Sequence, residues 1–357
     1  MKKIDGGVTA AKGFEAAGVA SGIRKKGRLD MAIVYSQKPC HVAGAFTTNV
    51  VKAAPVKWDQ KIVKESAYAQ AVVVNSGIAN ACTGAEGYGY CQETAEKMSE
   101  VLGIPTEAVL VGSTGVIGMQ LPMDKITAGV EQLVEVKNTS IEAGTAAAQA
   151  IMTTDTCKKE IALQVEIDGV TVTIGGMAKG SGMIHPNMCT MLSFITTDAA
   201  ISKSALQKAL SADVEDTYNM ISVDGDTSTN DTVLVLANGM AGNQEIVEDT
   251  ESYEIFAKGL REVNEYLAKQ MAGDGEGATA LFEVNVIGAE TKEQAKILSK
   301  SIVLQFSIVR VVNLLKSITS SFVRYIKFFI VSALIAGNSA ISILPPSAKV
   351  TPPILEP

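Results

Sequence analysis

The segment 177–199 holds the densest group of small polar residues in the chain and leads into an apolar run, Met191–Ile195. Two glycines and a proline before that run permit unusual backbone dihedrals. Strain just upstream of a Ser or Thr favours an N→O acyl shift, in which the hydroxyl attacks the preceding carbonyl and ester hydrolysis then frees an α-amine. Such an amine, with a reference pKa near ~8, can serve as base for its own hydroxyl. On these residues alone, however, a simple turn before a core strand is the commoner interpretation.

A second polar cluster, Asp224-x-Asp226-x-Ser228-x-Asn230, resembles the opening of a calcium loop. Its glycine falls at the wrong position, and Val235 stands where an EF-hand requires a glutamate. We therefore expect no metal here and a polar network instead.

Other familiar catalytic patterns are incomplete. The glycine motifs at 178–182 and 273–277 lack the full pattern of a phosphate-binding or dinucleotide-binding loop. His41 and His185 are the only histidines, so no Ser/His/Asp arrangement can be argued and both are expected to be structural.

The elements that must position these residues alternate between strands and helices. Short apolar runs at 71–75 and 108–112 predict buried strands, and 161–174 predicts a hairpin about Asp168-Gly169. An apolar face at helical spacing predicts a long helix over 252–271. Further segments are predicted as helices around 98–102 and 123–133 and as strands at Val233–Leu236 and Leu281–Val286. This mixture predicts a layered α+β fold in which helices cover the faces of sheets.

Composition excludes several functions. A net charge of -7 argues against a nucleic-acid partner, which requires clustered Lys and Arg. The cysteines are odd in number and lack metal-ligand spacing, which predicts reduced cytosolic thiols. They are Cys40, Cys82, Cys91, Cys157 and Cys189. The first residues contain no apolar signal segment, so we expect a cytoplasmic protein.

The sequence changes character after about Val303. Residues 305–357 contain one acidic residue, Glu356, against five basic ones, and end in a proline-rich stretch. The apolar part at 328–344 is short for a membrane span, which needs roughly 20 residues, so no membrane association is predicted.

Several blocks resemble, in order and spacing, those of the ornithine acetyltransferase (glutamate N-acetyltransferase) family, bifunctional enzymes of arginine biosynthesis. The resemblance extends from the start of the chain to about residue 303 and includes the segment 177–199. The other blocks are Phe46–Asn49, Asn75–Gly84, Ser113–Gly118, Met152–Thr156, Ser222–Asp231 and Gly273–Thr279.

The resemblance implies that Thr190 is the nucleophile and that the Cys189–Thr190 bond is cleaved by the chain itself. Residues 1–189 would then form an α chain, and 190–303 the family-like part of a β chain. Cys189 as the nucleophile is a minor alternative.

The resemblance also implies roles for other site residues. Thr114 and Gly115 match the oxyanion-hole pair, where removing one donor costs ~3 kcal/mol of barrier. On the sequence alone they could be a β-turn after the strand 108–112. Lys179 matches a lysine that suits a substrate carboxylate, and Glu276 a glutamate that suits an ammonium group. Thr153 is expected to contact substrate, and Thr154 is the second candidate for that contact.

The implied reaction is ping-pong: N-acetylornithine acetylates Thr190 and releases ornithine, and glutamate then accepts the acetyl group. No cofactor is expected, although acetyl-CoA is a conceivable second donor. The implied fold is an αββα sandwich, with two α and two β chains in the assembly. The alternatives are a self-cleaving aminopeptidase of the same fold, distinguished by water as acceptor, and an inactive relic or membrane-associated binding protein.

Three features depart from the family. Cys189 stands where alanine is usual, Ile78 replaces a polar residue, and nothing in residues 304–357 matches the family's C-terminus. We therefore hypothesise that a frameshift or a sequence error replaced the true C-terminus. If the tail is genuine, the pocket lacks its closing wall and the chain is expected to be an inactive relic. An intact reading frame in resequenced source DNA would contradict that hypothesis.

Overall fold

The computed structural model describes residues 1–184, 191–224, 228–278, 280–315 and 340–343. They form two compact units, Met1–Glu276 and a second unit that begins at Gly277. The strands are β1 (Lys2–Ile4), β2 (Phe14–Val19), β3 (Met31–Phe46), β4 (Ala69–Ile78), β5 (Val109–Val116), β6 (Lys159–Ile167), β7 (Val170–Lys179), β8 (Leu192–Thr197), β9 (Thr232–Ala237), β10 (Val284–Ile287) and β11 (Ala340–Ile343). The helices are α1 (Ala54–Glu65), α2 (Glu86–Leu102), α3 (Met123–Val136), α4 (Ile141–Ala150), α5 (Lys203–Val214), α6 (Glu251–Gly273) and α7 (Lys292–Leu315).

The long strand β3 joins the two halves of the sheet in the first unit. Its N-terminal part pairs with β2 and β4, and β4 pairs in parallel with β5. The register shifts between Tyr35 and Cys40, and from His41 onward β3 pairs with β9 instead. The sheet continues from β9 through β8, β7 and β6 to β1. Because an irregularity of this kind bends a strand and increases its twist, β3 can serve both halves.

The two halves of the sheet pack against each other, with helices outside. A Cβ built on Gly112 of β5 would lie 3.2 Å from Cζ of Phe194 in β8, so strands of the two halves are in direct contact. Helices α5 and α6 cover the other face of the β6–β9 half, and α1, α2 and α3 cover the β4–β5 half. This arrangement is a layered αββα sandwich, as predicted.

Local sequence explains these elements. Strands β8 and β9 are buried along their whole lengths, as their continuous apolar and small residues require. Helix α6 buries Phe256, Leu260 and Leu267 on one face, and the side chain of Thr250 accepts the N–H of Tyr253 to cap its start. The predicted hairpin is present, with Asp168 and Gly169 both at positive φ.

The second unit contains β10, which pairs antiparallel with β11, and the helix α7. Strand β10 begins three residues later than the predicted strand 281–286, because Leu281 and Phe282 remain outside the ladder. Helix α7 continues through residue 303, where the sequence changes character. The cleavage between residues 189 and 190 and the boundary of the atypical tail at 303/304 stay predictions. Of the helices within the described ranges, none is long and apolar enough to cross a membrane.

Candidate active site

A cavity of about 680 Å³ lies at the C-terminal ends of β4, β5 and β7. Five of the residues predicted for the site border it, so segments far apart in sequence meet there. Its walls are formed by Ile23, Arg24, Lys25, Gly77, Thr114, Gly115, Val116, Thr153, Thr154, Lys179, Gly182, Met183, Asp224 and Glu276.

Thr114 and Gly115 border the cavity from within β5, which runs to Val116. The alternative of a turn after residue 112 is therefore wrong, because the parallel pairing with β4 continues through this pair of residues. Gly115 has φ +134°, and a Cβ there would lie 2.3 Å from the carbonyl carbon of Gly77. Only glycine permits this close approach of two strands.

Lys179 ends β7 and is buried. Its Nζ lies 3.9 Å from Oδ2 of Asp155, beyond hydrogen-bonding distance, and no closer acceptor is found among the described residues. Burial lowers the pKa of Lys179, while the carboxylate of Asp155 opposes that shift. A buried ammonium with unused donors at a cavity wall is suited to an anionic ligand.

The predicted substrate-contacting threonines, Thr153 and Thr154, lie in the loop before β6. The guanidinium of Arg24 donates to the carbonyl oxygens of Met152 (2.7 Å) and Thr153 (3.4 Å). The N–H of Thr153 donates to Asp155 at 3.0 Å. Arg24 was not predicted, since nothing in its local sequence indicates that it reaches a loop more than a hundred residues away.

Glu276 is held beside the residues that follow β7. Its N–H donates to the carbonyl of Ser181 at 2.7 Å, and the hydroxyl of Ser181 donates to the carbonyl of Asp274 at 2.7 Å. The Glu276 carboxylate borders the cavity close to Gly182. The cavity therefore has a cationic and an anionic group in its wall, Lys179 and Glu276.

The predicted nucleophile Thr190, its neighbour Cys189 and also His185 lie outside the described residues. Upstream, the N–H of Ile184 donates to Oδ1 of Asp224 at 2.8 Å, and the N–H of Met183 donates to Oδ2. The glycines of this segment were expected to allow an unusual backbone conformation. The left-handed conformation is found at Met183, with φ +57°, and not at Gly182.

Downstream, the N–H of Met191 donates to Oδ1 of the fully buried Asp231 at 3.0 Å. Burial raises the pKa of Asp231 to about 8, against the lowering effect of that N–H. Both ends of the predicted cleavage segment are thus anchored to carboxylates of the Ser222–Asp231 block. Asp224 serves loop amides in the predicted polar network.

His41, the other histidine predicted to be structural, contacts a backbone carbonyl oxygen. Nδ1 of His41 lies 2.7 Å from the carbonyl oxygen of Ile201, which ties β3 to the segment before α5. Of the cysteines, Cys40, Cys82, Cys91 and Cys157 are free thiols.

Comparison with known proteins identifies the class of protein to which this fold and cavity belong. The sequence profile of the ArgJ family matches residues 15–310. The arginine biosynthesis bifunctional protein ArgJ of Caldanaerobacter subterraneus subsp. tengcongensis is 52% identical over 303 residues, which cover 85% of this chain and 74% of that protein. Its namesake from Thermotoga neapolitana is 52% identical over 293 residues, 82% of this chain and 73% of the relative. The chain belongs to the ArgJ family.

Two solved structures are also similar. ArgJ from Bacillus halodurans is 45% identical, with a TM-score of 0.49 over 52% of this chain and 96% of that one. The ornithine acetyltransferase of Mycobacterium tuberculosis, solved in complex with ornithine, is 45% identical, with a TM-score of 0.48 over 51% and 95% of the two chains.

Proposed function

We propose that this chain transfers the acetyl group of N-acetylornithine to glutamate in arginine biosynthesis, with Thr190 as the nucleophile. The observation that carries this proposal is the single cavity that brings together Thr114, Gly115, Lys179 and Glu276. Membership of a family of bifunctional arginine biosynthesis proteins supports the substrate class.

Maturation begins with attack of the Thr190 hydroxyl on the carbonyl carbon of Cys189. The C–N bond breaks as the new ester forms, and the proton lost by the hydroxyl goes to the departing nitrogen. Water then hydrolyses the ester, which leaves a carboxylate on Cys189 and a free amine and hydroxyl on Thr190. The anchoring of Met183 and Met191 on either side supports this step, since it restrains the segment that must react.

Catalysis uses the same hydroxyl with the liberated amine as its base. The hydroxyl attacks the acetyl carbonyl of N-acetylornithine, and ornithine leaves with a proton on its amine. The α-amine of glutamate then attacks the acetyl ester and restores the Thr190 hydroxyl. The Thr114 hydroxyl and the Gly115 amide are assigned to the negative charge that develops on the carbonyl oxygen in both steps.

Substrate binding is assigned to the charged groups of the cavity wall. The Lys179 ammonium binds the carboxylate of the amino-acid substrate, and the Glu276 carboxylate binds an ammonium group. Thr153 supplies a polar contact, held in place through the carbonyl contacts of Arg24. Acetyl-CoA as a further donor, an assembly of two α and two β chains and a cytoplasmic location belong to the same proposal.

A denaturing gel with intact-mass analysis tests the nucleophile. The purified wild type should give two fragments that join at 189/190, whereas Thr190→Ala should remain one uncut chain without acetyltransferase activity. Cys189→Ala is the matched control and should cleave like the wild type, because its side chain has no part in the reaction. An uncut, folded wild type that still acetylates glutamate would overturn the mechanism.

The acceptor separates transferase from aminopeptidase. With N-acetylornithine as donor, acetylglutamate should form at the rate of ornithine release when glutamate is present. Release of acetate at that same rate with or without glutamate would favour the hydrolase instead.

A further inference from the structure

Lys159 lies beneath the cavity wall, and its completely buried side chain contacts the carboxylates of Asp155 and Asp274. Its Nζ donates to Oδ1 of Asp155 at 2.7 Å and to Oδ2 of Asp274 at 2.6 Å. A lone buried charge is costly, so this cation and its two acids must be considered as one unit.

The two acids hold the loops that carry the proposed substrate contacts. Asp155 accepts the N–H of Thr153 at 3.0 Å and that of Gly180 at 2.7 Å. Asp274 accepts the N–H of Thr156 at 3.0 Å. The triad therefore links the loop before β6, the residue after Lys179 and the segment that leads to Glu276.

Asp155 also faces the second lysine of this region. Its Oδ1 is bonded to Lys159 at 2.7 Å, whereas its Oδ2 is 3.9 Å from Nζ of Lys179. Lys159 and Lys179 thus compete for one carboxylate, and Lys159 has the closer contact. Lys179 retains donors that no acceptor occupies within the described part of the chain.

We propose that Lys159 is a positioning residue that, by binding Asp155 and Asp274 together, withholds Asp155 from Lys179 and keeps the Lys179 ammonium available to the substrate carboxylate. This inference rests on the proposed function of Lys179. Without the Lys159 charge, Lys179 would be the nearest cation to the Asp155 carboxylate among the described residues, closer than Arg24, whose charge also acts on Asp155. Asp155 would then close the gap of 3.9 Å to a charge-assisted hydrogen bond, and a substrate carboxylate would have to displace it.

The test compares two acetyl donors that differ only in the carboxylate. N-acetylputrescine is N-acetylornithine without its α-carboxylate, so the ratio of their kcat/KM values measures how strongly the site uses that group. In Lys159→Met the ratio should fall about tenfold, through a higher KM for N-acetylornithine. The kcat/KM for N-acetylputrescine should stay within about twofold of the wild type, and Lys159→Arg should retain the ratio.

A merely structural role would lower kcat/KM for both donors by the same factor, and that result would overturn the inference. Asp155→Asn covers the case in which Lys159→Met does not fold, because it removes the competing charge and leaves Lys159 paired with Asp274. It should preserve or increase the donor ratio, and a decreased ratio would contradict the proposal. Lys179→Met separates the two ideas: if it keeps the wild-type ratio, the assigned function of Lys179 is wrong, whatever Lys159 does.

Discussion

The carboxylate of Glu276 lies against the backbone of Gly182. A Cβ built on Gly182 would be 2.6 Å from Oε1 and 2.7 Å from Cδ of Glu276. The backbones of the two segments are fixed to each other by the hydrogen bond from the Glu276 N–H to Ser181, whereas the carboxylate is the far end of a flexible side chain. The missing side chain of Gly182 therefore determines where this carboxylate can lie.

Gly182→Ala should displace the carboxylate while leaving the fold intact. We expect the KM for N-acetylornithine to rise about tenfold, the loss expected for a weakened charge-assisted contact. The melting temperature should change by no more than a few degrees. Gly273→Ala is the matched control, because a Cβ there meets no atom within 4 Å, and its KM should be that of the wild type. An unchanged KM in Gly182→Ala would contradict the assigned role of Glu276.

Gly115→Ala should damage the fold itself. Its Cβ would collide with the Gly77 carbonyl in the neighbouring strand, and φ +134° is strained for any L-residue. Since neither backbone can yield, we expect a loss of at least about 2 kcal/mol in the free energy of unfolding. Gly118→Ala, at φ +81° in open space, carries only the backbone strain and should lose about half as much. Equal urea midpoints for the two variants would show that the strand contact is not tight.

Binding of carboxylate substrates should weaken as the pH rises, at a pH below the ordinary pKa of lysine. Burial lowers the pKa of Lys179, with Asp155 opposing and Lys159 adding to the shift. The ammonium that binds a carboxylate is therefore lost as pH rises through a value below the ordinary 10.5. A pH profile of kcat/KM should show this limb, and Lys179→Arg should move it to higher pH because guanidinium stays charged. A limb at the same pH in both enzymes would exclude Lys179 as its source.

Asp231→Asn should stabilise the protein at alkaline pH. The folded pKa of about 8 lies above the ordinary 3.8, so between these values the folded state retains a proton that the unfolded state has released. The wild type therefore loses stability as pH rises through this range. The asparagine oxygen can still accept the N–H of Met191, so the variant should avoid that loss. Its melting temperature should exceed that of the wild type by several degrees at pH 8.5 and by much less at pH 5. An equal difference at both pH values would contradict the raised pKa.

Local sequence predicted much of the fold. The hairpin about Asp168, the helix 251–273 and the strand 232–237 follow from periodicity and turn chemistry, which act over a few residues. The predicted positions Thr153, Lys179 and Glu276 were brought in by family resemblance, and the structure places them around one cavity.

The remainder depends on distant parts of the chain. The double use of β3 is not evident in its sequence, because the register shift after Tyr35 is defined only by the two sets of strands with which β3 pairs. The triad of Asp155, Lys159 and Asp274 spans more than a hundred residues, and each member alone resembles an ordinary loop or strand charge. Three-dimensional packing is needed to reveal such contacts.

The strand order has a consequence for the proposed break between residues 189 and 190. Strands β8 and β9 lie side by side, and their outer neighbours β7 and β3 both precede the break. The downstream piece is thus inserted as the middle of a sheet whose two flanks belong to the upstream piece. A cleaved molecule would therefore elute as one particle from a size-exclusion column. Neither piece, produced by itself, would have a complete sheet into which its strands could pack.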